Sequence, residues 1–439
     1  MGHFADLLQL RALPGGYRIF LRPWYDRLNP MLRQIAGLHR RFFLTRTRIV
    51  VVVGSLGKTT TRRTLHAALD CSQRNFSFSN YGSCLSENLL RLRPRDRHGV
   101  LEVGVSGPGN MQPHADMIRP DVVVATSIKS EHNRSFPTLL DTRAEEVKMV
   151  AALPANGLAV LNGDDPHVRW MATQTRARVL FYGLDAANDV RATNLRSEPG
   201  GGATFDVHIG STRVGCRSAL IGEHMVYPML AAIAVAHAEK INLADACGRL
   251  ARLHGEKSRM ELLEAPGGIR ILDDSFKGAL ESIHAAFDAC AAMPAKRRIL
   301  VLGNVEEPPG NEGDIYRDLG TRAARFADVV ICIGKQRMQA FRAGAVQAGM
   351  AHTAIRLAGS RIEAGADLLK TILQPGDLVL IKGSNRQRLS RLALRLSGME
   401  VNCSLHYCNA KVNGCNACPL LKTPANWQEN HFIRRVSIP

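Results

Sequence analysis

Residues 48–64, RIVVVVGSLGKTTTRRT, constrain the fold more than any other stretch, because a hydrophobic strand runs straight into Gly54-Ser55-Leu56-Gly57-Lys58-Thr59-Thr60. Gly54 and Gly57 allow backbone N–H groups to turn inward around an anion, and Lys58 is long enough to reach terminal phosphates. Thr59 offers a hydroxyl to Mg²⁺, with Thr60 beside it. The helix expected next points its positive N-terminus at the same charge. Val52 holds the place of the first glycine in the common G-x-x-x-x-G-K-[ST] pattern, so the loop departs from standard spacing. An ordinary strand-turn-helix is the competing reading. The strand before the loop and the helix after it favour a nucleotide phosphate site.

Around that loop the chain alternates short β-rich runs with helix-like segments from residue 48 to about 262 (GVLEVGV, DVVVATSI, GLAVLN, RVLFYG), which predicts a parallel sheet with helices on both faces. Residues 187–220 break the rhythm and read as antiparallel hairpins appended to that core. A second α/β series begins near residue 268 (IRILDDS, RRILVLGN, DVVICIG, TAIRLAG, DLVLIKGS). The expectation is an α/β chain with a phosphate-loop ATPase domain at 48–262, a Rossmann-like domain at 263–400, a basic helical segment at 1–47 and a small cysteine-rich tail at 401–439. Ligand is expected between the two doubly wound domains, at the carboxyl ends of their strands.

Composition narrows the function classes. With 439 residues the chain has room for two or three domains. No apolar run approaches the roughly 20 residues of a membrane span, and MGHFADLLQL lacks a basic-then-apolar signal pattern, so a cytoplasmic location is expected. The net charge of +18 attracts polyanions, but the arginines are dispersed and aromatic residues make up only 5%, so nucleic acid is not expected as a partner. In residues 1–47 arginines outnumber the two acids, Asp6 and Asp26. A basic lead-in packed on the next domain is the favoured reading there, and an amphipathic helix on a membrane surface or protein partner the alternative.

Polar residues recur at strand ends. They are Glu102 in GVLEVGV, His132 after ATSIKSE, Asn162, Asp164 and Asp165 in VLNGDDP, Arg259 in EKSRMELL, Asp273-Asp274-Ser275, and Lys382-Gly383-Ser384. Singly each is weak, since Asp-Asp after a strand is common turn chemistry and a lone histidine is usually structural. In order and spacing, together with Glu102-Val103-Gly104, Ser130-Glu131-His132 followed by Phe136, Gly222-Glu223-His224 and Val301-Leu302-Gly303-Asn304, they resemble the Mur ligase family over residues 48–395. The resemblance is greatest to the branch that adds D-alanyl-D-alanine to a muramoyl tripeptide.

The resemblance implies an ATP-dependent ligase in which a carboxylate takes the γ-phosphate as an acyl phosphate and an amine then displaces phosphate. It implies Lys58, Glu102, His132 and Glu146 as catalytic residues. Thr59 and Glu102 would hold one Mg²⁺ and His132 would help with a second. Nucleotide would be held by Gly54, Gly57, Lys58, Thr59, Thr60 and Asn162, and by Arg259 and Asp273 from the second domain. Four departures mark a divergent member. Only 47 residues precede the strand that leads into the loop, fewer than a separate UDP-sugar domain needs. The lysine that many members carbamylate is replaced by Glu146, with Lys148 two residues on and turned from that face. The family's Y-N-A-N-P reads Phe276-Lys277-Gly278-Ala279-Leu280, and Tyr316 stands where the branch commonly has histidine. Either Glu146 supplies a shorter carboxylate in place of the carbamate, or the second metal is held differently.

Cysteines divide into two groups. Cys71, Cys84, Cys216, Cys247, Cys290 and Cys332 are scattered and read as unpaired small hydrophobes. Cys403, Cys408, Cys415 and Cys418 have spacing suited to a Zn²⁺ site, or to an iron–sulfur cluster with Pro419 after the last thiol, with His406 as a spare ligand. The leading functional expectation is an amide ligase acting on a small carboxylic acid and an amine unlike the usual muramoyl substrates. The alternatives are the muramoyl-tripeptide ligase itself and a non-catalytic nucleotide-binding scaffold that recruits a protein partner through its N-terminal segment or cysteine tail.

Overall fold

A computed structural model describes residues 27–71, 82–334, 337–405, 407–408, 414–418 and 421–422. Residues 1–26 of the basic segment, His406 and Pro419 lie outside them. The described chain forms an α/β protein with two mixed sheets, in compact units that divide between His254 and Gly255.

The first sheet has the order β2-β1-β3-β4-β5-β6-β7-β8. Its strands are β1 (Arg48–Val53), β2 (His98–Glu102), β3 (Val122–Ala125), β4 (Leu158–Asn162), β5 (Arg178–Gly183), β6 (Val190–Ser197), β7 (Ala203–Ile209) and β8 (Thr212–Ser218). From β2 through β6 every pairing is parallel, and the β6–β7 and β7–β8 pairings are antiparallel. The hairpins expected at 187–220 are therefore present and extend the sheet. Ile49 to Val53 are fully buried because helices cover both faces. One cover is the helix Val226–Ala238, VYPMLAAIAVAHA, apolar around almost its whole circumference; the other includes the helix Leu139–Ala151.

The second sheet, β13-β12-β11-β14-β10-β9, comprises β9 (Glu261–Ala265), β10 (Ile269–Asp274), β11 (Arg297–Leu302), β12 (Val329–Cys332), β13 (Ile355–Leu357) and β14 (Asp377–Lys382). All of its pairings are parallel except β9 with β10. Strand β9 was not legible, because ELLEA alternates burial only weakly and presents two glutamates.

One cysteine expectation needs correction and a second finds no support. Cys216 on β8 and Cys247 on the helix Leu243–Leu250 form a disulfide, their Cα atoms 5.5 Å apart; 31 residues separate them, and only packing of helix on strand brings them together. The zinc or iron–sulfur centre expected at Cys403, Cys408, Cys415 and Cys418 finds no support among the described residues, where no three His, Cys, Asp or Glu side chains are set to hold a metal ion. The buried Arg391 guanidinium instead donates to the Cys403 carbonyl at 2.9 Å and meets its Sγ at 3.3 Å, while Cys415 packs with Val401 and Leu421. Burial pushes the Cys415 thiol up.

Candidate functional site

The phosphate loop is shaped by what lies behind it. Gly54 has φ 116°, and a Cβ there would strike the Thr126 hydroxyl and, at 2.9 Å, the Ser127 carbonyl, so only glycine fits. Gly57, at φ 84°, is the left-handed residue that turns the chain into the helix Lys58–Ala68. The segment after β3 backs the loop: Ser55 N–H donates to the Ser127 carbonyl at 2.7 Å, and Lys129 N–H to Ser55 Oγ at 3.0 Å. Asn162 sits one layer further back, its amide donating to the Thr126 carbonyl at 2.8 Å. It supports the loop's backing rather than lining the loop.

Lys58 is buried and folds over its own loop, donating to the carbonyls of Gly54 and, at 2.9 Å, Ser55, with Glu131 Oε2 3.6 Å away. Thr59 and Glu102 meet, the Thr59 hydroxyl donating to Glu102 Oε1 at 3.1 Å, with Arg62 at 3.6 Å from the other carboxylate oxygen. A hydroxyl beside a carboxylate is the hard oxygen pair that suits Mg²⁺. Thr60, on the first turn of the same helix, is partly exposed. His132 pairs with Glu131 at 3.4 Å and is 41% exposed, with a left-handed backbone at φ 56°.

Glu146 comes from the helix Leu139–Ala151, which starts at a Thr138–Asp141 capping box. It is fully enclosed and accepts the Gly54 N–H at 3.1 Å. Burial pushes its carboxyl up to about 7, against the pull of the Lys58 ammonium and the Gly54 N–H; Glu131 and Glu145 add to the rise. Lys148 does not approach the loop; it pairs with Glu145 at 2.6 Å. Glu145, unremarked in the sequence apart from its place next to Glu146, accepts the N–H groups of Gly109 at 3.0 Å and Met111 at 2.6 Å. Adjacent acids on one helix thus hold two loops, one after β1 and one after β2. Asp165 is likewise a brace, accepting from Ile128, His167 and Val168 N–H groups.

In the second unit, Arg259 lies over the Phe276 ring, 4.0 Å from its centroid. Asp273 is buried and accepts the Ser275 N–H at 3.1 Å; burial pushes its carboxyl up to about 6, opposed by bonds from Ser275 and Ser258. Asp274 accepts the Met260 N–H at 3.1 Å and pairs with buried Lys382 at 2.7 Å, fastening the segment of Arg259 to the end of β10. Tyr316 is buried, its hydroxyl accepting the Val305 N–H at 2.8 Å.

Comparison with known proteins gives a consistent result. Residues 52–236 match the Mur ligase middle domain, and residues 258–385 match the Mur ligase glutamate ligase domain. The UDP-N-acetylmuramoyl-tripeptide–D-alanyl-D-alanine ligase of Escherichia coli (strain K12) is 27% identical over 295 residues, spanning 66% of this chain and 65% of that protein, just under two thirds of its length. The enzyme of the same description from Mycobacterium tuberculosis (strain ATCC 25618 / H37Rv) is 27% identical over 371 residues, 79% of this chain and 72% of that one. Among solved structures, MurF from Acinetobacter baumannii superposes with a TM-score of 0.74 at 21% identity, covering 84% of this chain and 80% of that one. MurF ligase from Thermotoga maritima in complex with ADP gives 0.72 at 21% identity, covering 84% and 83%. At these identities the structural likeness establishes the fold.

Proposed function

Because the chain belongs to the Mur ligase family, whose members are ATP-dependent ligases that form amide bonds, we propose that it joins a carboxylic acid to an amine at the expense of ATP. The observation that carries this reading is the enclosed cluster of Lys58, Thr59, Glu102 and Glu146 around one glycine loop. Phosphoryl transfer asks little covalent chemistry of a protein and much positioning of charge, which a buried lysine among backbone N–H groups provides. Lys58 leaves its carbonyl partners for the terminal phosphates when nucleotide arrives. Thr59 and Glu102 would hold Mg²⁺, which would neutralise charge on phosphate oxygens. Glu146 stands for the carbamylated lysine of other members, bringing a carboxylate that needs no carbon dioxide. His132 adjusts Glu131 beside Lys58, and Asn162 keeps Thr126 against the loop. Arg259 and Asp273 serve the nucleotide from the second unit.

For the substrates, the names of the relatives favour a UDP-muramoyl tripeptide and D-alanyl-D-alanine. A different acid and amine is the second reading, supported by Phe276 under Arg259 and by Tyr316 in place of the branch's usual histidine. Phosphate release from ATP and Mg²⁺, measured with the muramoyl tripeptide and dipeptide and with a panel of other acids and amines, separates the two. Release requiring an acid and an amine together, with a product lighter than their sum by one water, establishes the ligase and names the pair. Nucleotide binding with no stimulated release across the panel leaves a scaffold.

A further inference from the structure

The helix Asn29–Phe42 turns its apolar residues the wrong way for a helix that only packs on its own domain. Its inner side holds buried Ala36 and the partly buried Leu32 and Arg40. Arg40 is the anchor: it donates to the Leu44, Ile118 and Arg119 carbonyls and pairs with Asp121 at 2.8 Å. On the outer side Met31, Ile35, Leu38 and Phe42 are 50%, 44%, 54% and 62% exposed, with Leu28 and Phe43 continuing the row at 46% and 61%. Steps of three and four from Leu28 to Phe42 keep these side chains on one stripe. Half of the exposed large hydrophobic residues among those described lie in this one segment, which makes it a patch rather than scatter.

Its charge is one-sided. No acidic residue occurs between Asp26 and Asp70, and Arg27, Arg41 and Arg46 are exposed at the ends of the stripe. Arg41 lies over the Phe42 ring at 5.5 Å. The loop after the helix Gly82–Leu90 brings exposed Arg93, Arg95 and Arg97, three arginines to the one acid Asp96, whose carboxylate accepts the Arg93 N–H; His39 Nε2, 3.0 Å from the Leu92 carbonyl, ties the helix Asn29–Phe42 to this loop. We propose that this face docks on an anionic membrane surface, with Met31, Ile35, Leu38 and Phe42 at the acyl boundary and the arginines on headgroup phosphates. A second copy is a poorer occupant, since arginines outnumber acids on this face and a symmetric contact sets arginine against arginine. The helix lies in the interface plane: no helix of the described residues is long and apolar enough to cross a membrane. This inference is independent of the ligase reading.

The test is cosedimentation of the full-length protein with vesicles of phosphatidylcholine mixed with phosphatidylglycerol, against phosphatidylcholine alone. Docking gives pelleting with the anionic vesicles that falls as salt rises and is weak with neutral ones. Ile35→Glu with Leu38→Glu abolishes it. Arg41→Gln with Arg46→Gln weakens it by roughly 30-fold at low salt, about fivefold per arginine. These positions are exposed, and the variants keep the wild-type melting temperature. Equal pelleting with both vesicle types, or pelleting indifferent to Ile35→Glu with Leu38→Glu, overturns the proposal. So does an absence of pelleting, and a concentration-dependent dimer that the apolar pair of changes dissolves then assigns the face to a second copy.

Discussion

Glu146 accepts the backbone N–H of Gly54 at 3.1 Å, so a buried carboxyl sits directly behind the turn proposed to cradle phosphate. Its titration therefore belongs to the loop as well as to the helix that carries it.

That pairing predicts a pH dependence of stability in the nucleotide-free protein. Burial lifts the Glu146 carboxyl from its usual 4.5 to about 7, so between those values the folded chain keeps a proton that the unfolded chain has lost. The stability linked to this proton is fully present below about 4.5 and is lost as pH rises through about 7. Glu146→Gln removes the loss. Its melting temperature should exceed that of the wild type at neutral and higher pH and converge with it in acid. A variant that tracks the wild-type slope assigns the dependence to another group.

Lys58→Ala should lower ATP turnover by roughly a hundredfold or more, the scale of losing one preorganised charge contact to a transition state. The far-ultraviolet circular dichroism should be retained, because β1 and the helix after the loop are fixed by the buried apolar core. Turnover close to wild type would show that phosphate is handled elsewhere.

Lys382 is fully buried and pairs with Asp274 at 2.7 Å, also donating to Ser282 Oγ at 2.6 Å. Lys382→Met leaves a carboxylate enclosed without its cation and should destabilise the fold by about 3–5 kcal/mol in urea denaturation. Adding Asp274→Asn should recover part of that loss. A double variant less stable than Lys382→Met would show that the pair's charge is not what matters.

Phe276→Ala removes the ring under Arg259, a contact worth about 0.5–2 kcal/mol. If Arg259 serves the nucleotide, KM for ATP should rise by up to roughly 30-fold while kcat changes less. An unchanged KM would detach Arg259 from nucleotide binding.

How far the sequence could be read follows from which contacts are local. β1, its two glycines and Lys58 are contiguous, and their chemistry follows from order alone. The place of Glu146 could be counted from Phe136, but its raised carboxyl could not, because burial comes from the assembled sheet and helices. Glu145 gave no signal beyond adjacency, since its partners Gly109 and Met111 lie across the fold. The Cys216–Cys247 disulfide links β8 to a helix with no motif in common. The spacing of the cysteine tail suited a metal, but among the described residues no metal-holding group is found: Arg391 meets Cys403, and Cys415 packs with Val401 and Leu421.

The most direct test of the central claim uses an acid substrate labelled with heavy oxygen in its carboxylate, incubated with ATP, Mg²⁺ and the amine, followed by mass analysis of the phosphate released. A ligase working through an acyl phosphate transfers one labelled oxygen to each phosphate and yields ADP. Unlabelled phosphate, or AMP in place of ADP, would contradict it.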